Sequence, residues 1–90
     1  MFKTLEELIA TIRQRKGSSV EKSYTKKLLN DKNLSVEKVK EEIAELIDSI
    51  EKNSNKVHES ADVLYHLMVL LEANGIKIEE VMDELKKRQK

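Results

Sequence analysis

Four acidic residues, Glu42, Glu45, Glu59 and Asp62, have the chemistry and the spacing of a metal site. The first two are three residues apart in the chain, as are the last two, and side chains three apart on an α-helix share a face. Carboxylates gathered in one groove repel one another unless a positive charge lies between them. Because Mg²⁺ and Mn²⁺ prefer oxygen ligands, these acids predict a divalent-metal site of the kind that assists hydrolysis of a phosphoanhydride.

The same four residues lie symmetrically about residue 52. Glu42 and Asp62 are ten positions from it on either side, and the other two acids are seven positions from it. Residue 52 falls in the polar stretch 51–55, which is typical of a tight connection between antiparallel helices. Symmetric positions lie level in such a hairpin. The spacing therefore predicts that Glu42 faces Asp62 and that Glu45 faces Glu59.

Acids three residues apart are also common on solvated helix surfaces, and this chain is rich in Glu and Lys. The sequence therefore leaves open a rival interpretation, a non-catalytic helical interaction module whose acids face water. That rival predicts no dependence on metal ions. The symmetric placement of the acids beside apolar stripes favours the metal site, and Lys38, one turn before Glu42, would offset part of its charge.

The composition favours helices as the elements that carry these acids. The chain is 39% hydrophobic and 38% charged, with no Pro and only two Gly. Strong helix formers therefore dominate, and apolar residues recur at steps of three and four. This pattern predicts an all-α bundle of about five helices in a single domain, residues 1–90. The first predicted helix begins at a capping box formed by Thr4 and Glu7 and ends at about Gly17, and the second covers residues 23–29. The third begins at a Ser35 cap and carries an apolar stripe as far as Ile50. The fourth extends from about Val57 to Asn74, and the fifth begins at about Ile78.

The fourth predicted helix is apolar on nearly every side between Val63 and Leu71. A helix of this kind must be covered by several neighbours. Few other helices remain in so short a chain, so the pattern predicts that a partner subunit supplies the cover. The central antiparallel hairpin would then be completed by dimerisation.

Charge and cysteine content exclude several classes of function. Seventeen basic and 17 acidic residues give a net charge of zero, so the chain has no general attraction to nucleic acid or to an anionic membrane. It has no cysteine, which excludes disulfides, zinc–thiolate sites and thiol catalysis. No apolar run approaches the roughly 20 residues that span a bilayer, and the first residues lack the apolar stretch of a signal peptide, so we expect a cytoplasmic protein.

The acidic motif, Glu41-Glu42-x-x-Glu45 followed by Glu59-x-x-Asp62, resembles the metal motif of the all-α nucleoside-triphosphate pyrophosphohydrolases, the MazG-like superfamily. Two further segments, Ser23-Tyr24-Thr25 and Ala61-Asp62-x-Leu64-Tyr65-His66-Leu67, are similar to one branch, the phosphoribosyl-ATP pyrophosphohydrolases of histidine biosynthesis. The similarity covers nearly the whole chain.

The resemblance implies a homodimer that hydrolyses phosphoribosyl-ATP to phosphoribosyl-AMP and pyrophosphate, with Mg²⁺ as the cofactor and Mn²⁺ as an alternative. It also implies a pathway link to phosphoribosyl-AMP cyclohydrolase, which would act on the product. The nearest alternative is a house-cleaning pyrophosphohydrolase of the same superfamily, acting on non-canonical or deoxy nucleoside triphosphates. Lys22 and Lys40 stand where the branch often has glycine, and the first of these falls in the expected substrate loop.

The metal motif and the resemblance together suggest roles for individual residues. The four acids are the expected metal ligands, and the carboxylates expected to orient the attacking water are Glu41, Glu42 and Glu45, among which the sequence does not choose. The residues expected to bind the phosphates or the ribose of the substrate are Arg15, Ser23, Tyr24, Thr25, Lys27 and Lys38. His66, four residues after Asp62, either steadies that carboxylate or fills a polar gap in the bundle.

Overall fold

The computed structural model describes residues 1–17 and 23–89 and shows five α-helices in those ranges. They are α1 (Lys3–Lys16), α2 (Tyr24–Asn30), α3 (Lys32–Lys52), α4 (Lys56–Ala73) and α5 (Ile78–Arg88). The described residues contain no β-strand, so the predicted all-α class is confirmed. Ser18 and Ser19, which follow the predicted end of the first helix, and Lys22, which stands where the branch often has glycine, lie outside the described residues.

The start of α1 differs from the prediction. The helix begins at Lys3, where the amide of Glu6 donates to the carbonyl of Phe2 at 3.1 Å. This is the first hydrogen bond of the helix itself, no side chain caps the start, and Thr4 lies inside the helix. The predicted capping box is wrong, whereas the predicted end of α1 at Gly17 is confirmed.

The start of α3 also comes earlier than predicted. The carboxylate of Asp31 accepts a hydrogen bond from the amide of Leu34 at 3.0 Å, and this cap starts the helix at Lys32. The extra turn brings Leu34 against the hydrophobic core. Ser35, the predicted cap, is therefore buried inside α3.

Residues 53–55 join α3 to α4, and the two helices pack along each other as an antiparallel hairpin. Asn53 and Asn55 both adopt the left-handed conformation, with φ of 54° and 53°. Asparagine enters this region at lower cost than most residues with a side chain, so the sequence Asn53-Ser54-Asn55 permits a very short turn. The tight turn is what sets the register between the two helices.

The inner face of α3 is not the apolar stripe that the sequence suggested. The residues that point toward α4 recur at steps of three and four, and they are Val39, Glu42, Leu46 and Ser49, all buried or half-buried. Ile43, Ile47 and Ile50, which were expected to form part of the buried stripe, are exposed on the opposite side. The hairpin therefore has a partly polar seam, and that seam carries Glu42.

The core is formed by α1, α2 and α4. Its buried members are Ile12, Leu28, Leu29, Met68 and Val69. The apolar stretch from Val63 to Leu71 is thus covered largely by helices of its own chain, contrary to the expectation that a partner supplies the cover. Within that stretch only Leu64 is exposed.

An exposed apolar surface, which we call the hairpin face, remains on the outside of α3 and α4. It consists of Ile43, Ile47, Ile50, Val57 and Leu64. No helix in the described part of the chain is long and apolar enough to cross a membrane.

Arg13 ties the C-terminal helix to the rest of the bundle. Its Nε lies 2.6 Å from Glu72 of α4, and its two terminal nitrogens donate to the carboxylate of Glu79 in α5 at 2.9 and 2.7 Å. This two-point contact lowers the pKa of Glu79 to about 2, chiefly through the hydrogen bond from the guanidinium. The predicted boundary before α5 is confirmed, because Gly75, at a φ of 69°, ends α4 with Ile76 donating to Leu71 at 2.9 Å.

Candidate metal centre

Three carboxylates meet in the groove between α3 and α4. Glu42 and Glu45 come from the middle of α3, and Glu59 comes from the first turn of α4. One oxygen from each lies within 4.8 Å of the others. The i, i+3 spacing on α3 and the short turn into α4 together produce this convergence.

Asp62 belongs to a second group of potential ligands. One of its oxygens lies within 4.8 Å of ligand atoms of His58 and Glu59, and its Oδ2 is 3.4 Å from His58 Nε2. Glu59 is therefore shared by both groups. The charge of Asp62 also contributes to raising the pKa of Glu42 on the facing helix.

The electrostatics of the groove call for a cation. Glu42 Oε2 and Glu59 Oε2 are buried, and no hydrogen-bond partner for either lies among the described residues. Burial, and then the neighbouring charge of Glu45, raise the pKa of both carboxyls above the ordinary glutamate value. Oxygen-only donors that are buried and unpaired fit a hard divalent cation, which would supply the missing partner for each.

An open cleft of about 430 Å³ adjoins these carboxylates on the side of the turn. That volume lies within the usual range for small-molecule sites. Its walls are formed by residues of both helices and of the turn, namely Glu41, Ala44, Glu45, Asp48, Ser49, Ser54, Asn55 and Glu59. Glu41 thus lines the same cleft as two of the candidate ligands, and its carboxylate lies 3.4 Å from Lys38 Nζ.

A polar aromatic cluster joins α2 to α4 beside the acids. The hydroxyl of Tyr24 is 3.0 Å from His66 Nε2, and Thr25 Oγ1 is 2.5 Å from the hydroxyl of Tyr65. Burial raises the pKa of Tyr24, with further contributions from Glu42 and Glu41, whereas Lys38 lowers it. Tyr24 therefore lies close enough to the acids to sense their charge.

The expected role of His66 is changed by its actual contact. His66 is buried, and its Nδ1 lies 2.8 Å from the main-chain carbonyl of Asp62 rather than from the carboxylate. Its other nitrogen is engaged by Tyr24. His66 thus links the main chain of α4 to the side chain of Tyr24 in α2. Its hydrogen bond goes to the main-chain carbonyl of Asp62 and not to the carboxylate that would bind the metal.

The remaining candidates for substrate binding occupy different places. Ser23 caps α2, its hydroxyl accepting from the amide of Lys26 at 3.3 Å. Lys27 is exposed on α2, and Arg15 is half-buried near the end of α1. Within residues 1–17 and 23–89 neither of these two cations makes a side-chain hydrogen bond or an ion pair.

Arg15 lies at the end of the bundle remote from the acids. The next residue, Lys16, donates to the main-chain carbonyl of Glu72 at 2.9 Å. Glu72 is ten residues beyond Asp62 on α4, which corresponds to about 15 Å along the helix. The structure therefore does not bring Arg15 together with the carboxylates.

Two residues near the site were not predicted from the sequence. Asp48 lines the cleft, and His58 belongs to the second group of potential ligands. Asp48 follows Glu45 by three residues and Glu41 by seven, so a search for acids at helical spacing would have found it. His58 precedes Asp62 by four residues and shares its face, which is the corresponding signal for the imidazole.

Comparison with known proteins adds independent findings. Residues 5–89 match the family model described as phosphoribosyl-ATP pyrophosphohydrolase. A protein of Caulobacter sp. (strain K31) named phosphoribosyl-ATP pyrophosphatase is 42% identical over 91 residues, covering 99% of this chain and 85% of the relative. The histidine biosynthesis bifunctional protein HisIE of Pyrococcus furiosus is 44% identical, covering 96% of this chain and 41% of the relative. The chloroplastic histidine biosynthesis bifunctional protein hisIE of Arabidopsis thaliana is 42% identical, and the similarity covers 94% of this chain and 33% of the relative.

Proposed function

The chain belongs to the phosphoribosyl-ATP pyrophosphohydrolase family, and on this premise we propose that it hydrolyses phosphoribosyl-ATP to phosphoribosyl-AMP and pyrophosphate in a metal-dependent reaction. The observation that carries the metal dependence is the pair of buried, unpartnered oxygens of Glu42 and Glu59. Mg²⁺ is the proposed cofactor and Mn²⁺ its alternative, because both accept oxygen ligands.

Glu42, Glu45 and Glu59 would hold the cation, with Asp62 reaching it from the neighbouring group. A bound divalent cation neutralises the charge of a polyphosphate and fixes its orientation. The ion pair between Lys38 and Glu41 brings a second positive charge to the edge of this site, where it can bind phosphate oxygens that the cation does not.

The products require cleavage between the α- and β-phosphates. The oxygen of a water molecule forms a bond to the α-phosphorus, the bond from that phosphorus to the bridging oxygen breaks, and pyrophosphate leaves with the electron pair. A carboxylate takes the proton of the water. Glu41 lines the cleft and is not among the carboxylates that would hold the cation, so it is the proposed base, with Glu42 and Glu45 as the alternatives.

We also propose that the hairpin face joins two copies of the chain into a homodimer. The inner seam of the hairpin contains Glu42 and Ser49, whereas its outer face exposes Ile43, Ile47 and Val57. Exposed clusters of this kind on small domains mark interaction surfaces. Sedimentation equilibrium tests this: Ile47→Asp would shift the dimer toward monomer, and a wild-type protein that sediments as a monomer at micromolar concentration would contradict it.

Relatives named as bifunctional histidine biosynthesis proteins support a pathway link for the product. In both of them the region similar to this chain occupies less than half of the relative. We propose that the phosphoribosyl-AMP formed here is passed to phosphoribosyl-AMP cyclohydrolase as a separate protein or domain.

The deciding experiment is an assay of pyrophosphate release from phosphoribosyl-ATP, with MgCl₂ or EDTA, for the wild type and Glu45→Gln. We expect activity only with the metal and a loss of roughly 10²–10³-fold in the variant, because a bound cation contributes several kcal/mol to stabilising the charge of the transition state. The matched control is Glu37→Gln on the same helix, because the Glu37 side chain is 70% exposed and, among the residues that the structure describes, pairs only with Lys40. Release of pyrophosphate from deoxy or non-canonical nucleoside triphosphates, but not from phosphoribosyl-ATP, would favour the house-cleaning alternative.

A further inference from the structure

Tyr24 stands at the edge of the candidate metal centre with part of its ring open to solvent. It is the first residue of α2, and its side chain is 46% exposed. On one side its ring stacks with Tyr65 at a centroid distance of 6.4 Å and an angle of 19°. Its hydroxyl contacts His66 at 3.0 Å, and His66 contacts the main chain of the candidate ligand Asp62 at 2.8 Å, so Tyr24 lies beside the candidate metal centre.

The hydrogen bond of Tyr24 has a direction that the structure dictates. A main-chain carbonyl only accepts, so the contact of 2.8 Å to Asp62 requires that His66 Nδ1 carries the proton. In the neutral ring Nε2 is then an acceptor. The hydroxyl of Tyr24, 3.0 Å away, must donate to it.

This direction determines what Tyr24 can recognise. Its proton is engaged by His66, and its oxygen retains the capacity to accept one further hydrogen bond. Ionised phosphate oxygens only accept, so they have nothing to offer this oxygen. Ribose hydroxyls and the exocyclic amino group of adenine donate, and a half-exposed aromatic ring provides an apolar surface for a sugar or a base.

We propose that Tyr24 recognises the nucleoside part of the substrate rather than its phosphates, and that His66 is a positioning residue that holds the Tyr24 hydroxyl in its accepting state. The inference rests on the proposed function only in that the ligand is a nucleotide. It narrows the expectation that Tyr24 donates to phosphate or ribose, because the Tyr24 oxygen is now an acceptor for the nucleoside, and it assigns the Thr25–Tyr65 hydrogen bond to packing.

Binding measurements on two probes separate the nucleoside from the phosphates. The first probe is α,β-methylene-ATP with Mg²⁺, in which the bridging oxygen at the cleavage position is replaced by carbon. The second is inorganic tripolyphosphate with Mg²⁺, which has no nucleoside. Titration calorimetry gives the dissociation constant of each probe for the wild type and for each variant.

Tyr24→Phe, which retains the ring, should weaken binding of the nucleotide about 3- to 10-fold, as expected for one hydrogen bond, and leave tripolyphosphate unchanged. His66→Leu should reproduce this pattern. His66→Gln should restore much of the affinity, because the amide oxygen of glutamine reaches nearly as far as Nε2. Tyr65→Phe is the matched control, since it removes the other tyrosine hydroxyl of the chain, and it should affect neither probe.

Equal weakening of both probes by Tyr24→Phe would show that Tyr24 serves the phosphates and would overturn the proposal. Unchanged binding of the nucleotide would overturn it too, because Tyr24 would then only pack. Failure of the wild type to bind the nucleotide more tightly than tripolyphosphate would overturn this inference, whereas the assay of phosphoribosyl-ATP hydrolysis tests the proposed function separately. A wild type that binds the nucleotide with the expected pattern yet leaves phosphoribosyl-ATP intact would refute the proposed reaction alone.

Discussion

Replacing Glu45 by Gln should stabilise the metal-free protein while weakening its response to metal. The Glu45 carboxylate has an oxygen within 4.8 Å of one from Glu42 and contributes to the raised pKa of that residue. Two unit charges at 4.8 Å repel by about 0.9 kcal/mol in water and by about 3.5 kcal/mol at an effective dielectric constant of 20. Glu45 is exposed, so solvent screening places the repulsion near the lower value, about 1 kcal/mol.

Thermal unfolding followed by circular dichroism measures this effect at pH 8 and a fixed protein concentration. A gain of about 1 kcal/mol in the free energy of unfolding raises the Tm of a domain of this size by roughly 4–8 °C. The wild type should gain about 2.7 kcal/mol when Mg²⁺ is present at 100 times its dissociation constant, whereas Glu45→Gln should gain much less.

Glu37→Gln again serves as the control, and it should change neither the Tm in EDTA nor the response to Mg²⁺. A lower Tm of Glu45→Gln in EDTA would refute the reasoning, because it would mean that the carboxylate makes a favourable contact in the metal-free protein. An unchanged response of the variant to Mg²⁺ would remove Glu45 from the ligand set.

Three further predictions concern pH, the attachment of α5 and the turn. The pKa values of Glu42 and Glu59 are raised in the folded state, so the folded protein binds more protons than the unfolded chain. The metal-free protein should therefore lose stability as pH rises above about 4.5. Urea midpoints measured in EDTA at pH 5 and pH 7 would check this. Arg13→Met should lower the urea midpoint at pH 7, because it removes the hydrogen bonds to Glu79. The pKa of Glu79 is lowered to about 2, so the difference in urea midpoint between variant and wild type should shrink as pH falls from 4.5 toward 2. A difference that does not shrink at low pH would mean that Arg13 acts through packing alone. Asn53→Val should destabilise the protein by about 1–2 kcal/mol because of the φ of 54°, while Asn53→Gly should be nearly neutral, and chemical denaturation of both variants distinguishes backbone strain from a lost side-chain contact.

Local signals accounted for much of the secondary structure. The stop at Asn74-Gly75 and the start of α5 at Ile78 were predicted because a glycine in the left-handed region ends a helix within a few residues. The cap of α3 was misplaced because Asp31 and Ser35 are both good caps, and the choice depended on whether Leu34 could reach the core.

The apolar pattern of α3 was harder to interpret. Val39 and Ile43 are both apolar and only one turn apart, yet Val39 is buried and Ile43 is exposed. A periodic stripe specifies a face, but when two adjacent faces are apolar the helix can turn either of them inward. In the packed structure the face that contains Glu42 turns inward. The Glu42 carboxylate is therefore half-buried, and one of its oxygens has no hydrogen-bond partner among the described residues.

By itself, the sequence determined which acids share a helix face, since helical periodicity is a property of residues three and four apart. It also identified the two helices that carry them. Only the tertiary structure decided that Glu59 is shared by two ligand groups, that Asp62 lies beside His58, and that His66 holds Tyr24 across 42 residues. Such contacts depend on how α2 settles on α4 and on the register set by a three-residue turn, and no local repeat in the chain encodes either of these.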